Sequence, residues 1–155
     1  MGLKVGQLIP QFAIPDQDGK LFNSNDIVGK KPFVIFFYPK DYTPGCTLEV
    51  CSFRDGYEEF TELGALVIGI SSDSENTHRR FASKYRLPFK LLADKHKKVR
   101  GLFKVEGKLF NLLPGRETYV VSKEGVILMV FNSVNASQHM KKALDVLKKL
   151  KSKSK

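Results

Sequence analysis

Apolar residues along this chain fall into short unbroken runs and longer stretches where they recur every three or four residues. Phe33-Val34-Ile35-Phe36-Phe37-Tyr38 is an unbroken run and predicts a buried strand. Similar runs at 65–70, 89–92, 118–121 and 126–131 predict four more strands, the last two joined as a hairpin by Ser122-Lys123-Glu124-Gly125. Val50, Phe53, Tyr57 and Phe60 have helical spacing, and Gly64 suits a helix C-terminus, so one helix is expected from Pro44 to Leu63. Ser72 with Glu75 reads as a capping box for a helix reaching Tyr85, and Asp94 as the cap of another from Lys95 to Phe103. Met140, Ala143, Leu144, Leu147 and Leu150 mark an amphipathic C-terminal helix. Near the start, Phe12-Ala13-Ile14 and Lys20-Leu21-Phe22 flank Asp16-Gln17-Asp18-Gly19, a hairpin with Asp-Gly turn chemistry.

Strands separated by helices require crossovers and parallel neighbours, while the late hairpin adds antiparallel strands. An α/β mixed sheet with helices on both faces follows, preceded by an N-terminal hairpin. The stretch from Val105 to Arg116 reads as a loop that is unusually apolar, through Leu109, Phe110, Leu112 and Leu113. It either closes over the core or lines the mouth of a site. No repeat or linker interrupts the chain, so residues 1–150 are expected to form one domain.

Composition narrows the classes. With 155 residues, 42% hydrophobic content and twelve Phe, the chain can bury a substantial core. There is no run of 18 apolar residues to span a membrane and no apolar N-terminal signal. The net charge is +10, of which +6 lies between Lys141 and Lys155. A basic tail can touch nucleic acid or anionic surfaces, but a solvated helix face is the plainer reading. Residues 151–155 are expected to be a disordered basic tail. Two cysteines make no disulfide framework and no zinc set, so a reducing, cytoplasmic setting is expected, with neither metal nor cofactor. His78, His96 and His139 lack metal-ligand spacing and read as surface residues.

Candidate chemistry concentrates at Pro39-Lys40-Asp41-Tyr42-Thr43-Pro44-Gly45-Cys46, with Cys51 following. Thr43 suits an N-cap and Pro44 the first helical position. Cys46 then falls in the first helical turn, where free N–H groups and the dipole favour a thiolate. Five residues along a helix turn the side chains about 140° apart and set the Cα atoms about 8.6 Å apart. A disulfide usually needs about 6.8 Å or less, so pairing of Cys46 with Cys51 would require this helix start to unwind. Whether they pair is left open by the spacing.

Pro39-x-x-x-Thr43-x-x-Cys46 resembles the peroxiredoxins. Adding Cys46-x₄-Cys51 and Pro114-Gly115-Arg116-Glu117-Thr118 makes the chain similar to the Q, or bacterioferritin comigratory protein, subfamily. The resemblance runs from the Asp16–Gly19 turn to the last helix and implies a thioredoxin-like fold and a thiol peroxidase. It would make Cys46 the peroxidatic nucleophile and Cys51 the thiol that resolves its sulfenic acid as an intramolecular disulfide. Thioredoxin or a similar dithiol donor would then reduce that bond. Thr43 would hydrogen-bond thiolate and peroxide, Arg116 would stabilise negative charge, Pro39 would shield and shape the pocket, and Glu49 would orient Arg116 or another basic group. A monomer is expected, because both thiols lie in one chain. Tyr42 is bulkier than the residue many relatives carry there.

Plainer readings stand beside these: a buried structural thiol for Cys46, a core-facing one for Cys51, a simple cap for Thr43, dipole chemistry for Glu49 and a surface charge for Arg116. Three functions stay in view. They are peroxide reduction, dithiol–disulfide exchange with proteins, and a basic binding module whose DNA affinity would survive loss of both cysteines.

Overall fold

The computed structural model describes residues 3–105, 116–133 and 138–153. A small antiparallel hairpin, β1 (Ala13–Pro15) and β2 (Leu21–Asn23), precedes a five-stranded sheet. That sheet contains β3 (Phe33–Phe37), β4 (Leu66–Ser71), β5 (Lys90–Ala93), β6 (Glu117–Val121) and β7 (Ile127–Asn132), in the order β5-β4-β3-β6-β7. β3, β4 and β5 run parallel, and β6 and β7 are antiparallel additions, as their helical and hairpin connections require.

Alternation along the strands splits the core in two. On one face Val34, Phe36, Val67, Leu91 and Val120 pack with Val50, Phe53 and Phe60. These last come from α1 (Pro44–Asp55) and α2 (Tyr57–Glu62). Phe81 of α3 (Glu75–Tyr85) and Leu144 and Leu147 of α5 (Gln138–Lys153) join the same layer. On the other face Phe33, Ile35, Phe37, Ile68, Tyr119 and Val121 meet Phe12 and Phe22 of the hairpin, Val99 of α4 (Lys98–Leu102), and Phe103. Phe36 stacks on Phe53 at a centroid distance of 4.4 Å, which seats α1 on the sheet. Gly69 makes room for that stack: a Cβ there would lie 2.7 Å from the Phe36 ring.

Several local expectations change. The single helix over 44–63 is two, broken at Gly56, where a Cβ would sit 3.0 Å from Met140 of α5. The apolar spacing ran through the break because both pieces pack on one core layer. α3 is capped by Ser74, whose Oγ accepts the Thr77 N–H at 3.2 Å, and not by Ser72. α4 begins at Lys98, later than expected, although Asp94 still accepts the Val99 and Arg100 N–H groups at 3.0 and 2.9 Å. Lys151 to Lys153, expected to belong to a disordered tail, instead form the end of α5. The apolar loop containing Leu109, Phe110, Leu112 and Leu113 lies outside the described residues, as do Pro114 and Gly115.

Candidate active site

β3 ends inside the sheet, and the chain turns through Pro39–Thr43 into α1. Tyr38 donates its N–H to Ile70 O at 3.1 Å, and its carbonyl accepts from Arg100 Nη2 at 3.0 Å. Half-buried Pro39 follows. Tyr42 takes a left-handed conformation (φ 68°), which lays its ring edge-on against Phe81 at 5.0 Å. Asp41 is buried beneath the turn. It accepts from the Tyr38 hydroxyl at 2.6 Å, faces His78 Nδ1 at 2.6 Å, and donates its N–H to Asp73 at 2.8 Å. His78 Nε2 donates to Leu92 O at 3.0 Å, so a proton must also lie between Nδ1 and Asp41. Asp41, Asp73 and His78 have ligand-type atoms within 4.8 Å of one another, but each is occupied by these internal hydrogen bonds.

This turn delivers the Lys40 N–H to Cys46 Sγ at 3.5 Å. Cys46 is the third residue of α1 and is only 1% exposed. Across the site Arg116, entering β6, donates from Nη2 to the same sulfur at 3.4 Å and from Nη1 to Glu49. Gly45 allows that approach, since a Cβ there would lie 3.2 Å from Nη2. A negative charge on Cys46 therefore meets a guanidinium, a backbone N–H and the positive end of a helix.

Glu49 is fully buried. Burial raises its carboxyl to about 8, against the opposing pull of Arg116. Behind it stands buried His139, whose Nε2 donates to Ser133 O at 2.8 Å and whose Nδ1 accepts the Thr118 hydroxyl at 2.7 Å. Burial lowers this imidazole to about 4, so it is neutral.

Cys51 is partly buried on the same unbroken helix, and both thiols are free. Desolvation pushes the Cys51 thiol upward. Cys46, Glu49 and Arg116 are thus brought together. Thr43 holds the N-cap position without a side-chain cap bond, and its Oγ1 donates to Lys40 O at 2.8 Å.

His78 and His139 correct the surface assignment, while His96 is exposed. His78 precedes core residue Phe81 by three residues, and His139 precedes Ala143 by four. Helical spacing could have placed both inside. Arg100, also buried, carried no comparable sequence signal.

A model of the AhpC/TSA family matches residues 5–130. The chloroplastic peroxiredoxin Q of Populus jackii is 47% identical over 146 residues, 94% of this chain and 68% of that protein. The solved structure of the Mycobacterium tuberculosis peroxidoxin BcpB superposes with a TM-score of 0.88 at 36% identity, covering 96% of this chain and 98% of the other. A Xanthomonas campestris bacterioferritin comigratory protein, described with alkyl peroxide reduction activity, superposes with a TM-score of 0.83 at 29% identity, covering 90% and 92%. Fold and family together define a thiol-dependent peroxidase with a thioredoxin-like core. The chain belongs to the AhpC/TSA family and, within it, to the peroxiredoxins of the Q, or bacterioferritin comigratory, kind.

Proposed function

We propose that Cys46 is the peroxidatic thiol and Cys51 its resolving partner. The observation that carries this reading is the Cys46 sulfur itself: buried, at a helix start, and facing both Lys40 N–H and Arg116 Nη2. As a thiolate it attacks one oxygen of the O–O bond and becomes a sulfenic acid, releasing water or an alcohol once the leaving oxygen gains a proton. Arg116 is already aimed at this atom, so it stabilises the displaced charge without reorganising. Glu49 fixes the guanidinium through Nη1, and Pro39 shapes the turn above the sulfur. The Thr43 hydroxyl, while donating to Lys40 O, keeps its lone pairs to accept a hydrogen bond from the peroxide.

Cys51 then attacks the sulfenic sulfur and water leaves, after the first turns of α1 have unwound. A thioredoxin-like dithiol reduces the disulfide. In this reading residues 1–150 act as one folding unit and as a monomer, because resolution needs no second chain. Its place is a reducing compartment, the cytoplasm; the Populus jackii relative is named as chloroplastic. The test is peroxide consumption with a thioredoxin system, beside Cys46→Ser and a gel-filtration mass. Turnover that persists in purified Cys46→Ser refutes the assignment.

A further inference from the structure

Glu49 is placed at more cost than orienting an arginine explains. It is 0% exposed, and Oε2 is the buried side-chain oxygen left without a hydrogen-bond partner among the described residues. Arg116, just before β6, bonds Oε1 and leaves Oε2 without a bond from it. From α5, His139 Nδ1 stands 3.5 Å from Oε2 but already accepts the Thr118 hydroxyl, while Nε2 is spent on Ser133 O. The neutral imidazole therefore offers Oε2 no proton. From α1 comes Cys46, whose sulfur takes the other arm of Arg116.

Arg116 thus bonds two potential anions in a buried site, and buried Arg100 of α4 adds a longer-range positive charge at Cys46, which further favours the ionised sulfur. With both ionised the trio is net negative in a medium that penalises unpaired charge. With the sulfur ionised and a proton on Glu49 it is neutral. Oxidation reverses the partition, because sulfur then carries no charge and Arg116 needs the carboxylate. Glu49 also lies between Cys46 and Cys51, on the segment that must unwind for their sulfurs to meet, so the disulfide draws it out of burial.

We propose that Glu49 is a redox-linked proton store, protonated while Cys46 is a thiolate and deprotonated as the Cys46–Cys51 disulfide forms. The proposal rests on the cysteine roles given above. The balance is explicit. Thiolate, thiol and hydroperoxide give disulfide, alcohol and water only if one proton is added. Two sulfurs are oxidised by two electrons, the O–O bond is reduced, and the Glu49 carboxyl supplies the proton and ends as carboxylate. Glu49 is a positioning and proton-supplying residue, not one that touches peroxide. Its raised carboxyl pKa, set by burial, agrees with storage at neutral pH.

The test counts protons. Reduced protein in weak buffer near neutral pH receives one equivalent of hydrogen peroxide without reductant, and a pH dye reports uptake per disulfide formed. Thiolate absorbance beforehand establishes the starting sulfur charge. Wild type is expected to take up close to no proton and Glu49→Gln one, since glutamine copies the protonated acid but has nothing to release. Infrared difference spectra should show a protonated carboxyl band lost on oxidation of wild type and missing in the variant. If the variant folds poorly, the wild-type count and band decide alone. Uptake of one proton by wild type with no lost carboxyl band overturns the store, as does a Cys46 that starts as a thiol. Failure to form any disulfide overturns the cysteine roles instead, and the store with them.

Discussion

Replacing Arg116 with methionine removes the donor at 3.4 Å from Cys46 and the arm that holds Glu49, while keeping most of the aliphatic stem. A hydrogen bond to a charged group contributes about 1.5–3 kcal/mol. Because the charge moves from sulfur to the leaving oxygen during attack, most of that is expected at the barrier. At about 1.4 kcal/mol per decade, the second-order rate of Cys46 oxidation should fall roughly 10- to 150-fold. The Lys40 N–H and the helix start remain, so the rate should not reach that of a solvent-exposed thiol. Lysine at 116 should recover only part of the loss, since a point charge cannot bond sulfur and carboxylate in one plane. The chain has no tryptophan, so quenched-flow mass spectrometry of the sulfenic acid in a Cys51→Ser background suits the measurement. A loss below threefold, with unchanged thermal stability, would refute the claim that Arg116 stabilises the reacting charge.

Cys51→Ser alone should oxidise once at Cys46, accumulate sulfenic acid and lose thioredoxin-dependent recycling; recycling at the wild-type rate would remove Cys51 from the mechanism. Gly69→Ala forces a methyl to within 2.7 Å of the Phe36 ring and should cost about 1–3 kcal/mol, read as a lower Tm by calorimetry. An unchanged Tm would mean that the Phe36–Phe53 stack shifts freely. Stability should also depend on pH through Glu49, whose carboxyl is raised by burial from 4.5 to about 8. Such a group contributes fully below 4.5, and its contribution is lost as pH rises through about 8. His139, lowered from 6.5 to about 4, acts oppositely and is complete above 6.5. Urea midpoints should therefore decline between pH 6.5 and 8 in wild type and flatten in Glu49→Gln; equal slopes would contradict the burial argument.

Much of what depends on neighbours a few residues apart was determined by sequence. The run at 33–37 had to be a buried strand, Thr43-Pro44 had to open a helix, and Cys46 had to sit in its first turn with Cys51 too far along to bond. Even there, competition between local hydrogen bonds went unseen: Thr43 bonds Lys40 O and leaves the helix end uncapped. The motif resemblance pointed to Arg116, but only the pairing of β6 with β3 brings it across 70 positions to the Cys46 sulfur. Folding also decided that Glu49 and His139 lose their water together, and that Asp41 and His78 lock beneath the turn. Hydrogen-bond partners and desolvation arise from surfaces meeting across the sheet. Helical and strand periodicity report which side of an element faces inward, and carry no information about what it will face.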